Sequence, residues 1–155
     1  MIAILLNDAS FEQDIRELLM AFYPGETFTH KEEEAGEAEL IVRGVRDGNS
    51  FSLDVTPVKK EAVHFALIYP DFSNRFETKN EIKQTLYRLL SAQTGRELPW
   101  GTLTGIRPTK IALTKLYDGW TDEQIETYMR ETYFTSKEKI DLSIDVAERE
   151  RRLLS

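Results

Sequence analysis

The sequence predicts an α+β protein: an N-terminal small mixed sheet with one helix, followed by a C-terminal helical subdomain of about four helices. Three observations carry this. Apart from one helical stretch over Phe11–Phe22, apolar residues alternate, or run continuously in short stretches, up to Tyr69, and from Asp71 onward they recur at helical spacing. Turn-forming residues also fall where the periods change, at Pro24-Gly25, Asp47-Gly48-Asn49, Gly95 and Gly119. The division is expected near residue 72, with an α+β subdomain over 1–72 and a helical subdomain over 73–155.

Ile2 to Leu6 is an apolar run too short for a helix and bounded by Asn7-Asp8, which fits a strand buried on both faces. It is expected to be the first and central strand. Ser10 and Gln13 have the spacing of a capping box, and Phe11, Ile15, Leu18, Leu19 and Phe22 then share one helical face. Leu40 and Val42 alternate with Ile41 and Arg43 before the Asp-Gly turn. Beyond it Phe51, Leu53 and Val55 alternate with Ser52, Asp54 and Thr56, a hairpin in which Asp-Gly supplies the positive φ. Glu32-Glu33-Glu34 is expected to be solvated, because clustered carboxylates repel one another. The run Val63 to Tyr69, ended by Pro70, suits a strand or a helix on pattern alone and is taken as a strand.

The second helix is expected to start from a Thr78–Glu81 capping box ahead of Ile82, Leu86, Leu89 and Leu90 and to stop at Gly95. Leu98 to Arg107 is punctuated by a proline and two glycines and reads as a loop, after which Pro108 suits the first position of a helix closed by Gly119. Thr121 and Gln124 form a further capping box, with Trp120 placed to staple onto Ile125. Ser136 opens the last helix, with Ile140, Ile144 and Ala147 on one face and Asp145–Arg149 and Glu148–Arg152 as ion pairs on another. That helix reaches Leu153-Leu154 without a glycine or proline stop. The expectation is a chain cut from a longer polypeptide, with a frayed natural terminus as the alternative.

Several chemistries are excluded. The 155 residues include no cysteine, so no disulfide, thiolate nucleophile or cysteine-ligated cluster can be built from within the chain. The two histidines, His30 and His64, lie far apart and outside any His-Glu-x-x-His pattern, and no metal site is expected. Gly-x-Ser-x-Gly, Walker and Gly-x-Gly-x-x-Gly motifs do not occur. With 27 carboxylates some pair will always be close, so an acid pair carries no weight. No apolar run has the roughly 20 residues of a membrane span, and the N-terminus lacks the basic start of a signal peptide, so a cytoplasmic, soluble protein is expected. A net charge of -7 argues against bulk binding of nucleic acid.

One segment departs from the acidic background. Between Arg96 and Lys115 the cations Arg96, Arg107, Lys110 and Lys115 face only Glu97, and Thr104, Gly105, Arg107 and Thr109 lie at a helix N-terminus, where free N–H groups favour an anion. The alternative is structural: threonine and glycine shape the turn, Arg107 pairs with a neighbouring acid, and Trp100 plugs a core.

The string Leu98-Pro99-Trp100-Gly101-Thr102-Leu103-Thr104-Gly105-Ile106-Arg107-Pro108-Thr109-Lys110 resembles the region ahead of the catalytic barrel in the HemZ-type coproporphyrinogen dehydrogenases. These are radical S-adenosylmethionine proteins related to the oxygen-independent coproporphyrinogen III oxidases. The resemblance extends over Leu86 to Ser91 and Tyr133 to Leu154, about half the chain, and only loosely over the first 70 residues. It implies a non-catalytic accessory region of an enzyme in porphyrin and heme biosynthesis, partnered by a radical S-adenosylmethionine barrel of the same polypeptide. The parent would use a [4Fe–4S] cluster and S-adenosylmethionine to convert coproporphyrinogen III to protoporphyrinogen IX. The Cys-x-x-x-Cys-x-x-Cys loop that would hold the cluster is absent here, so the fragment alone is expected to be inert, with no catalytic, cofactor-binding or metal residue of its own. Trp100, Thr104, Gly105, Arg107, Thr109 and Lys110 are the candidate interface or anion site. A free-standing anion- or RNA-binding module and a protein-interaction domain are the alternative readings.

Overall fold

The structure, a computed structural model, describes residues 1–59, 63–104 and 108–154. They form two compact units, Met1–Arg96 and Glu97–Ser155.

In the first unit, β1 (Ile2–Leu6) lies between β2 (Phe28–Thr29) and β3 (Leu40–Asp47) and is parallel to both. β3 pairs antiparallel with β4 (Ser50–Pro57), and β4 with β5 (His64–Ile68), so the mixed sheet has the order β2-β1-β3-β4-β5. The run Val63 to Tyr69 is therefore a strand, as read. The central position expected for β1 belongs to β3. With eight residues, β3 satisfies β1 on one edge and the hairpin partner on the other, whereas β2 offers β1 only two residues. The turn between β3 and β4 is Gly48-Asn49, and only Gly48 has positive φ, at 61°, the pattern of a II′ turn.

Helix α1 (Glu12–Phe22) crosses over between β1 and β2 and buries Ile15, Leu18, Leu19 and Phe22. Its approach differs from the expected Ser10–Gln13 box. The Asp8 carboxylate accepts from the Ser10 N–H at 3.0 Å and the Ser10 hydroxyl at 2.6 Å, which starts a single 3-10 turn over Ala9–Phe11 ahead of the helix. Helix α2 (Arg75–Thr94) starts three residues before the expected Thr78 cap. Asn74 accepts from the Glu77 N–H at 3.1 Å, while buried Thr78 donates its hydroxyl to the Asp71 carbonyl at 2.7 Å. Gly95 ends α2 at φ 69°, as expected.

The compact units divide after Arg96, not near residue 72, because α2 packs on α1 and on β4 and β5. Its Ile82, Leu86 and Leu90 are buried, and Tyr87 meets the ring of Phe22 at 5.3 Å. The helices thus cover the sheet face carrying Val42, Phe51, Leu53 and Val55. On the opposite face Ala3 and Leu5 lie under Ala35 and Ala38, in or beside the 3-10 segment Glu32–Glu37. The acidic run in that segment is exposed, and Glu32 receives both guanidinium nitrogens of Arg43, at 2.7 and 3.2 Å.

The second unit contains α3 (Pro108–Tyr117), α4 (Asp122–Tyr133) and α5 (Lys137–Leu154). Leu103, Ala112, Leu116, Ile125, Met129, Tyr133, Ile140, Ile144 and Ala147 form its core. Pro108 is the first residue of α3, and the Thr121–Gln124 capping box is complete. Trp120 packs against the core that contains Ile125 and also meets the ring of Tyr128 at 5.6 Å. On α5, Asp145–Arg149 is paired at 3.1 Å, whereas the Glu148 carboxylate takes Arg151 at 2.9 Å and Arg152 Nε donates to the Glu148 carbonyl at 3.4 Å. Leu153 and Leu154 are exposed. Among the described residues no helix is long and apolar enough to cross a membrane.

Candidate functional site

Residues 98–104 form a loop wrapped onto the turn that joins α4 to α5. The Gly101 N–H donates to the Leu98 carbonyl at 2.8 Å, and the Leu103 N–H to the Trp100 carbonyl at 3.2 Å, which closes the loop on itself. Three contacts then fasten it to the turn. The Thr102 N–H donates to the Tyr133 carbonyl at 2.7 Å, the Ser136 N–H to the Pro99 carbonyl at 2.8 Å, and the Thr135 hydroxyl to the Trp100 carbonyl at 3.3 Å. Thr102 and Tyr133 are both buried, so the bond between them is shielded from water, whereas Pro99 is exposed.

Gly101 explains why the loop needs glycine. Its φ is +62°, and a Cβ there would lie 1.9 Å from the Tyr133 carbonyl oxygen and 2.5 Å from the Phe134 carbonyl carbon. On the other side of the contact Phe134 ends α4 in the left-handed conformation, at φ 57°. Two left-handed residues meet back to back, and the backbone of one fills the space a side chain on the other would need.

Of the candidate site residues, Trp100, Thr104, Thr109 and Lys110 lie among the described residues. Trp100 is half-buried, with the Lys139 ammonium 5.5 Å from its ring centroid. Thr104 is half-buried, Thr109 is half-buried in the first turn of α3, and Lys110 is exposed there, its carbonyl accepting from the Thr114 hydroxyl at 2.9 Å. The first turn of α3 carries no acidic residue. Gly105 and Arg107 lie outside the described residues. Of the remaining cations in the positive segment, Arg96 belongs to the first unit, where it donates to the Phe22 carbonyl. Lys115 stands over the rings of Trp120 and Tyr128, at 4.5 and 4.7 Å. Spacing in sequence thus overstated the concentration of charge, because two of the four cations are engaged elsewhere.

Beside Lys115, the Tyr133 and Tyr128 rings meet edge to face at 5.8 Å, with 3.4 Å between the hydroxyls. Burial is the main cause that holds the Tyr133 phenol well above its usual range, and the bond to Tyr128 adds to it. Sequence reasoning missed this aromatic group, because Trp120 precedes α4 and the separation of Tyr128 from Tyr133 is not one of the three- or four-residue spacings that mark neighbours on a helix.

Two other clefts carry charge, most of it in ion pairs. One, of about 360 Å³ at the carboxyl ends of β1 and β3, includes His30 and Arg43; these are paired with Glu12 at 2.9 Å and with Glu32. The other, of about 270 Å³ between α4 and α5, is lined by six carboxylates, of which Glu126 and Asp141 share Lys137, at 3.3 and 3.2 Å. Among the described residues no group of three or more histidines and carboxylates is arranged to hold a metal ion.

Compared with known proteins, the chain is similar to the "oxygen-independent coproporphyrinogen-III oxidase-like protein HemZ" of Bacillus subtilis, with 35% identity over 98 residues. The match covers 61% of this chain and 19% of the relative, so the chain spans about a fifth of that protein's length. No family model and no solved structure matches the chain.

Proposed function

We propose that this chain is a non-catalytic accessory region of a coproporphyrinogen III oxidase-like enzyme of the radical S-adenosylmethionine class. The observation that carries the reading is the 35% identity over 98 residues to a coproporphyrinogen oxidase-like protein. The parent reaction would be oxidative decarboxylation of two propionate side chains of coproporphyrinogen III, giving protoporphyrinogen IX. The [4Fe–4S] cluster and S-adenosylmethionine of such an enzyme do not fit this chain, because the cluster needs thiolate ligands and the sequence has none. They would be held by the barrel, and the work of these 155 residues would be to position or cover it.

Within that role, the loop and helix start from Trp100 to Lys110 would serve as the face toward the barrel or as a seat for an anionic group. Thr109, Lys110 and the undescribed Arg107 would supply the donors. The fastening of residues 98–104 to the α4–α5 turn supports this, because it gives Trp100 and Thr104 a fixed place in the second unit. The test is binding of the purified chain to the Bacillus relative from which the matched region has been deleted, read by co-elution. A stoichiometric complex that Arg107→Ala and Lys110→Ala weaken supports the reading. A folded chain that fails to bind the folded, deleted relative opposes it.

A further inference from the structure

The first unit exposes an apolar edge strand for which the accessory role has no use. β5 is an edge strand, paired among the described residues only with β4. Native edge strands are normally blunted by charge, proline or a bulge. The stretch Val63-His64-Phe65-Ala66-Leu67-Ile68-Tyr69 has no acidic residue, lysine, arginine or proline. Its register puts Phe65 beside Asp54 and Leu67 beside Ser52, on the sheet face away from α1 and α2, and alternation puts Val63 and Tyr69 on the same side. These four are 58%, 61%, 48% and 66% exposed in the order Val63, Phe65, Leu67, Tyr69.

We propose that β5 pairs antiparallel with β5 of a second copy of this chain, about a twofold axis through Ala66. The sequence is matched to itself in that arrangement. With Ala66 opposite its own mate, Phe65 faces Leu67 of the second copy and Val63 faces Tyr69. Every exposed apolar residue thus gains an aromatic–aliphatic cross-strand partner, and no like charges meet along the strand. With about 150–250 Å² for a whole aromatic side chain and less for Val and Leu, the exposed parts of the four side chains amount to roughly 400 Å². Because these side chains stand roughly perpendicular to the sheet, edge pairing covers their flanks and not their tops, and with the backbone edge the buried area stays below the ~600 Å² per partner at which specific interfaces begin. The dimer is accordingly weak and concentration-dependent.

Sedimentation equilibrium of the 155-residue chain over a concentration series tests the proposal without porphyrin chemistry, so it stands or falls apart from the functional reading. The expected result is a monomer–dimer equilibrium. Leu67→Lys should weaken it by about tenfold or more with an unchanged circular dichroism spectrum, since the twofold introduces each substitution twice. The chain has no cysteine, so single thiols report the register. Residues directly opposite in an antiparallel pair have Cα atoms about 4.5–5.5 Å apart, within disulfide reach. Ala66→Cys should therefore cross-link on mild oxidation, while Leu67→Cys, out of register with its own mate, should not. A monomer at every concentration, a dimer indifferent to Leu67→Lys, or cross-linking through Leu67→Cys in place of Ala66→Cys would overturn the proposal. Protection of the β5 amides only within a longer polypeptide would also overturn it, and would assign the edge to that polypeptide.

Discussion

Replacing Gly101 with alanine is expected to unfold, or nearly unfold, the second unit while leaving the sheet unit intact. Two costs add. Holding a non-glycine residue at φ +62° costs about 1–2 kcal/mol. The new Cβ, 1.9 Å from the Tyr133 carbonyl oxygen, must also push the loop off the α4–α5 turn, because both contacting groups are backbone. Lifting the loop breaks the bonds from the Thr102 N–H to Tyr133 and from the Ser136 N–H to Pro99, each worth about 1 kcal/mol net and more where a buried group is left unpaired. The total is about 3–5 kcal/mol. At 0.05–0.15 kcal/mol per residue, a unit of roughly 60 residues has about 3–9 kcal/mol in all. Hydrogen exchange on the intact chain reads the outcome, with amides of α3, α4 and α5 losing protection while those of β3 and β4 keep theirs. Gly36→Ala is the control, since a Cβ there meets nothing within 4 Å. An exchange pattern for Gly101→Ala indistinguishable from the parent's, or a melting temperature within about 2 °C of it, would refute the reasoning.

Thr121→Ala removes the hydroxyl that accepts from the Gln124 N–H and should cost the second unit about 1 kcal/mol, measured by denaturant unfolding. Raising the pH should destabilise the same unit. The Tyr133 phenol is raised in the folded state, so its contribution is complete below pH 10.0 and is lost above it as the unfolded chain ionises first; Tyr133→Phe should remove that component of the alkaline fall. At the acid end Glu32 is held below 4.5 by its bonds to Arg43, so its contribution is present above that pH and lost as pH falls through the folded value, a dependence that Glu32→Gln should abolish. The purified chain should stay colourless after anaerobic iron–sulfur reconstitution, and a stoichiometric cluster absorbance would contradict the assignment of the cofactor to the barrel.

The parts of the fold legible in the sequence are those fixed by local rules. Continuous apolarity marked β1, Gly95 and Pro108 marked helix ends, and Thr121 with Gln124 marked a cap that forms as read. Where two local solutions competed, tertiary demand decided between them. Asn74 and Glu77 have the same spacing as Thr78 and Glu81, and the choice fell to Asn74 because Thr78 is needed against the Asp71 carbonyl. Asp8 likewise captured Ser10 before Ser10 could cap α1. Strand order was not legible, since nothing within β1 shows that β3 will be its neighbour and the middle of the sheet. For the candidate site, the unusual Trp100 to Lys110 string was visible, but its attachment was not. The residues that hold it, Tyr133, Thr135 and Ser136, lie more than thirty positions on and contribute mostly through backbone groups.

The most direct test of the accessory-region account is a chimera in which this chain replaces the matched region of the Bacillus relative, assayed anaerobically for consumption of coproporphyrinogen III. The relative itself and its deletion serve as references. The account predicts that the chimera consumes substrate where the deletion does not, and that Arg107→Ala in the chimera lowers the rate without loss of fold. A folded, cluster-loaded chimera no more active than the deletion, beside an active intact relative, would contradict it.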